Sequence, residues 1–144
     1  MAEPLKNSFG PDVPRSIGEQ LARTDPDFNR RAFISDCLQG YDDLELMDRA
    51  RHIAQAMARH LPADPQVSSP LVTQSLGSVD HGLTGMAQFR FLPLTLFVAE
   101  VGLPAFEESM TAQYELTKRF TAEFSIRAFL VADPERTLAR LRDW

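Results

Sequence analysis

Residues 107–130 read EESMTAQYELTKRFTAEFSIRAFL, with no Gly or Pro among them, and they predict a helix over their whole length. Near the centre, Lys118, Arg119 and Arg127 surround one carboxylate, Glu123, and three rings, Tyr114, Phe120 and Phe124. Glu123 stands four residues from Arg119 and four from Arg127, so on a continuous helix all three fall on one strip. Two readings follow. Cations, rings and a lone acid on one helix could hold a phosphate backbone and act on a positively charged base. The same residues also make an ordinary amphipathic helix, with an ion-pair ladder outside and Phe120 and Phe124 in the core. From residue chemistry alone the second reading is favoured.

Working outward, punctuation recurs as helix starts and stops. Asp12 and Pro14 open a helix on which Val13, Ile17 and Leu21 recur every four residues, and Thr24-Asp25-Pro26 breaks it. Phe28, Ala32, Phe33 and Leu38 mark a short second helix that stops at Gly40. Asp42 or Asp43 is expected to cap a third, whose apolar positions from Met47 to Leu61 keep a 3.6-residue period up to Pro62. Residues 64–77 allow two starts: Pro65 behind Asp64, or Pro70 behind Ser69. Residues 77–85, GSVDHGLTG, read as a loop. A helix from Leu92-Pro93 runs to Gly102, Pro104 opens the next, and Asp133-Pro134-Glu135 starts the last, which presents Leu138, Leu141 and Trp144. No alternating stretch is long enough for a sheet. The expectation is an all-α chain forming one helical domain over residues 1–144. Its helix pairs, turning over at roughly forty-residue intervals, suit an α-solenoid of the HEAT kind; a helical bundle has the same periodicity. The apolar face of the last helix looks uncapped, so either it folds back on its own domain or the chain is the front part of a longer, incomplete repeat array.

The composition is that of an ordinary globular protein: 44% apolar and 24% charged over 144 residues. One cysteine, Cys37, forms no internal disulfide and suits a reducing compartment. The N-terminus lacks an apolar signal region, no apolar run approaches the roughly eighteen residues of a membrane span, and a cytoplasmic location is expected. The net charge of −5 argues against a free-standing nucleic-acid binder. Residues 1–117 carry nine Lys/Arg against sixteen Asp/Glu, and residues 118–144 six against four, so basic side chains gather at the C-terminal end.

The usual chemical signatures are missing. His52 and His60 lie eight residues apart on one helix, and His81 sits beside Asp80, with no HExxH, CxxC or EF-hand spacing, so no metal site is expected. There is no G-x-S-x-G and no phosphate-binding Gly-rich loop, and Cys37 reads as a small core residue.

Three segments carry a family resemblance: AEPLKNSFGPDVPRSIGEQLAR (2–23), ELMDRARHIAQAMARHLP (45–62) and FRFLPLTLFVAEVGLPAFEESMTAQYELTKRFTAEFSIRAFL (89–130). Together they resemble the front part of DNA alkylation repair proteins, more narrowly the AlkC-type branch of the HEAT-like repeat DNA glycosylases. MTAQYELTKRFTAEFSIRAFL is the most specific piece, and residues 63–85 the least similar. The resemblance implies a curved stack of helix pairs that acts on alkylated double-stranded DNA without metal or cofactor and hydrolyses the N-glycosidic bond of 3-methyladenine-type bases. An alkylated purine is already cationic and leaves without protonation. The protein must therefore hold the duplex, pack rings against the base and place a carboxylate near the oxocarbenium-like sugar. Carried over residue by residue, Glu123 becomes the candidate catalytic carboxylate. Lys118, Arg119 and Arg127 become candidate DNA contacts, and Tyr114, Phe120 and Phe124 become pocket wall or core, with core favoured for the two Phe. Family members are much longer, so this chain is expected to be the N-terminal portion of such an array. A non-catalytic module binding protein or DNA, or a truncated remnant, is the alternative.

Overall fold

In a computed structural model the described residues are 9–77 and 85–144, and their regular structure is all helical. Among the described residues eight α-helices follow one another: α1 (Asp12–Thr24), α2 (Arg30–Leu38), α3 (Leu46–His60), α4 (Pro65–Ser75), α5 (Leu92–Val101), α6 (Phe106–Thr117), α7 (Glu123–Ala132) and α8 (Pro134–Leu141). Short 3-10 turns cover Tyr41–Asp43, Gly85–Phe91 and Leu103–Ala105. The predicted loop at residues 77–85 falls, apart from its two ends, outside the described residues, as does His81.

Side-chain chemistry accounts for most of these boundaries. In α1, Val13, Ile17 and Leu21 form one buried strip. A Cβ on Gly18 would lie only 3.0 Å from Ile34 Cγ1, so α1 and α2 approach closely because that position carries no side chain. Gly40, just past the end of α2, has φ +71°, the left-handed turn that glycine adopts cheaply. Of the two starts open for α4, the structure takes Asp64: its carboxylate accepts from Gln66 N–H at 2.9 Å, Pro65 follows, and Pro70 is carried inside the helix. At α8, Asp133 accepts from Arg136 N–H at 3.3 Å, ahead of Pro134. The expected cap of α3 is wrong. Asp42 and Asp43 lie in the 3-10 turn, and α3 starts only at Leu46, behind Glu45. What reshapes this entry is Arg49, 5% exposed, which donates to the carbonyls of Leu44 (2.9 Å), Phe9 (3.0 Å) and Asp42 (3.3 Å) and lies over the Tyr41 ring. A cation four residues downstream thus draws the chain before α3 into a turn.

The packing order distinguishes a stack from a bundle. α1 packs on α4 and α4 on α6, while α2 packs on α3, α3 on α5 and α5 on α7. From α3 onward, then, each helix meets the helix two places along, which puts the elements in two rows of stacked pairs. α8 continues the first row through side chains: Arg136 lies 4.0 Å over the Phe106 ring, Arg140 Nε meets Glu107 at 2.7 Å, and Trp144 stacks against Tyr114 at 5.5 Å. Between the rows runs one apolar core, including Ile17, Phe33, Ile53, Met57, Leu92, Phe97, Met110 and Phe129. Cys37 is fully buried in it, and burial pushes its thiol up to about 12.

Candidate functional site

The segment that looked like one helix is two. α6 stops at Thr117, residues 118–122 turn, and α7 starts at Glu123. No Gly or Pro makes this break; hydrogen bonds do, two of them from distant elements and three local. Thr95, fully buried on α5, donates its hydroxyl to the Thr121 carbonyl at 3.1 Å. The Arg119 guanidinium donates to the Glu115 carbonyl at 2.7 Å and to the carbonyl of Gly77, beyond the end of α4. Ser125 Oγ closes the turn by donating to the Ala122 carbonyl at 3.0 Å, and Glu123 N–H donates to Thr121 Oγ1 at 3.1 Å. Glu123 thereby becomes the first residue of α7, where the helix dipole favours a carboxylate.

The break rewrites the predicted ladder. Glu123 pairs with Arg127 one turn along α7, and both side chains are well exposed, at 63% and 73%. Arg119 is not on that strip. Its side chain is 5% exposed and occupied by main-chain carbonyls and by Glu115 Oε2 at 3.3 Å, so the expected phosphate contact is instead an internal staple. Its Nε finds no partner among the described residues. Lys118 pairs with Glu115 at 3.2 Å and lies 4.7 Å over the Tyr114 ring. Burial pushes Glu115 up, but the hydrogen bonds and charges of Lys118 and Arg119 outweigh it and hold this carboxyl below its ordinary range.

The rings separate as well. Phe120 packs at 4.9 Å on Phe89 at the edge of the core, as favoured from sequence. Phe124, expected in the core, is 44% exposed on α7, because α7 begins after the break and so starts its turn count there. Tyr114 lies on α6 against Trp144. None of the three lines the shallow depression of about 360 Å³ beside Glu123, which is formed by Thr117, Thr121, Ala122, Glu123, Ile126, Arg127 and Leu130. Its threonines and aliphatics carry no chemical signature in the sequence and gather there only because the helix breaks at residues 118–122. The basic C-terminal end is largely neutralised in place: Arg136 and Arg140 share Glu107, and Arg140 also reaches Asp143.

Two rows of stacked helix pairs, with a carboxylate–guanidinium pair on an open face of α7, define a helical-repeat protein. Comparison narrows the class. No protein-family model matches the chain. It is 26% identical over 141 residues to the uncharacterized protein YhaZ of Bacillus subtilis (strain 168), covering 97% of this chain and 38% of that protein. Its structure resembles that of the Pseudomonas fluorescens alkylpurine DNA glycosylase AlkC bound to DNA containing an abasic site analog, with a TM-score of 0.76 and 26% identity, over 100% of this chain and 39% of that one. The chain therefore spans less than two-fifths of each of these relatives, and its relationship to AlkC is distant. No single helix among the described residues is long and apolar enough to cross a membrane.

Proposed function

We propose that this chain is a section of a DNA-repair glycosylase, a helix-pair array that serves the hydrolytic release of alkylated, 3-methyladenine-type bases from duplex DNA. The observation that carries the reading is the likeness along the full chain to a glycosylase held on abasic-site DNA. In this reading Glu123 is the carboxylate offered to the sugar as positive charge develops there. The depression lined by Thr117, Thr121 and Ile126 gives it a solvent-accessible setting. Arg127 orients Glu123 from one turn away, and Lys118 is available to phosphate once Glu115 is displaced. Arg119 has no DNA contact in this scheme; it holds the break that starts α7. The reaction needs neither metal nor cofactor, since the leaving base is cationic before the bond breaks.

The charge pairing supports a second reading. Lys118, Arg119, Arg127, Arg136 and Arg140 all have acidic partners, and the chain carries −5 overall, which suits a helical module that binds protein. Binding to duplex DNA containing an abasic-site analogue, titrated with salt, separates the two. A DNA-repair section binds and weakens as salt rises through counterion release; no binding at low salt favours the protein-binding module.

A further inference from the structure

We infer that the groove between α6 and α8 is a binding site for a neutral, planar heteroaromatic ring of purine size. Side chains tie the two helices together at two places. At one end Arg136 lies over the Phe106 ring and Arg140 Nε meets Glu107 at 2.7 Å; at the other, the Tyr114 and Trp144 rings meet at 5.5 Å. The paired residues advance together along both helices, so α6 and α8 run side by side in the same direction. Between the two ties they leave a cavity of about 230 Å³, lined by Met110, Thr111, Tyr114, Arg140, Asp143 and Trp144. It shares no lining residue with the depression beside Glu123.

The lining selects the ligand. Met110, fully buried, gives the cavity a soft apolar floor. The Tyr114 and Trp144 rings are tilted by 49° and stay 39% and 38% exposed although they touch each other, so they form a half-open wall for a flat ring. Arg140 is held in place by Glu107 at 2.7 Å. Its second contact, to Asp143 at 3.4 Å, is longer, and the Asp143 side chain is 69% exposed, so this is the contact a ligand replaces. Arg140 then donates to a ring nitrogen or carbonyl, and Asp143 accepts from an exocyclic N–H. Charge disfavours ions of either sign: a cation meets the Arg140 guanidinium, and an anion meets Asp143 with Glu107 behind it. A neutral ring with donors and acceptors on its edge suits both groups. The volume lies below the roughly 300–1,000 Å³ of sites for drug-sized ligands, so the cavity takes one ring system and leaves any sugar outside.

Trp144 is the one tryptophan of the chain, so its fluorescence reports on this cavity directly. The test titrates adenosine into the 144-residue chain, with ribose as the control. The expected result is saturable quenching by adenosine at millimolar concentration, the affinity of a small ligand with few contacts, and no quenching by ribose. Tyr114→Leu weakens binding ~5-fold or more by removing one ring of the wall. Thr111→Phe, which puts a ring into the cavity from an exposed position on α6, abolishes the saturable phase while the helical circular dichroism stays that of the parent. Quenching that rises linearly, no more steeply than for a free tryptophan amide, overturns the inference. Saturable quenching that survives both Tyr114→Leu and Thr111→Phe overturns it as well, by putting the ligand elsewhere. None of these outcomes depends on whether the chain acts on DNA.

Discussion

Replacing Arg119 with Met removes the guanidinium that joins the α6–α7 break to the end of α4, and its cost follows from what is lost. The bond to the Gly77 carbonyl is made by a charged donor in a side chain only 5% exposed and contributes ~1.5–3 kcal/mol. The Glu115 carbonyl keeps a bond from Lys118 N–H at 3.3 Å, so losing its second donor costs less, ~0.5–1 kcal/mol. The ion pair with the partly exposed Glu115 adds ~0.5 kcal/mol after solvent screening. Against these, the unpartnered Nε leaves with the side chain and returns ~1 kcal/mol of desolvation. The net expectation is a loss of ~1.5–3.5 kcal/mol. At about 3 °C per kcal/mol for a chain of this size, the thermal midpoint falls by about 5–10 °C. Arg127→Met, which breaks a pair exposed at both ends, costs at most ~0.5 kcal/mol. Urea denaturation of both variants beside the parent chain measures the difference. Equal losses, or an Arg119→Met variant within ~0.5 kcal/mol of the parent, would refute the division into a buried staple and a surface pair.

Three further outcomes follow from the same reasoning. Arg49→Met should destabilise by ~2–4 kcal/mol in urea titrations, because it removes a buried charged donor from the carbonyls of Leu44 and Asp42 and leaves the Phe9 carbonyl only its bond from the Tyr41 hydroxyl. Cys37, with its thiol pushed up to about 12 by burial, should ignore an aromatic disulfide reagent at pH 8 in the folded chain and react fully in urea. Asp36 sits below its usual value near 3.8, held there chiefly by the Arg59 hydrogen bond against the opposing effect of burial, with His60 adding to it. A carboxyl lowered on folding contributes its full stability above the unfolded value, and loses that contribution as pH falls through the folded one. Urea midpoints of the parent should therefore decline below about pH 4 more steeply than those of Asp36→Asn.

Much of the fold is legible in local chemistry. The Val13–Ile17–Leu21 strip and Asp133-Pro134 each determine their helices within a few residues, and those helices are where the spacing puts them, whereas the sequence leaves α4 two starts, of which the fold takes Asp64-Pro65. What is not legible depends on partners far along the chain. The break at residues 118–122 is tied down by Thr95 and by the Gly77 carbonyl, 26 and 42 residues from their partners, and within residues 107–130 only the Thr121 hydroxyl, which accepts from Glu123 N–H, signals a new helix start. Once the break is missed, the errors propagate. Arg119 is assigned to the surface, Phe124 to the core, and Glu123 to a ladder of two cations instead of one. The choice between stack and bundle needed the packing order of whole helices, which periodicity does not carry.

The central claim is that this helix-pair array belongs to the machinery that cuts alkylated bases from DNA. Its most direct test is a chimera in which this chain replaces the matching two-fifths of the Pseudomonas fluorescens AlkC glycosylase, assayed for release of free 3-methyladenine from methylated duplex DNA. The account predicts release well above the spontaneous rate, falling ~100-fold or more when Glu123 becomes Gln. Release at the spontaneous rate from a folded chimera, or a Glu123→Gln chimera as fast as its parent, would contradict it.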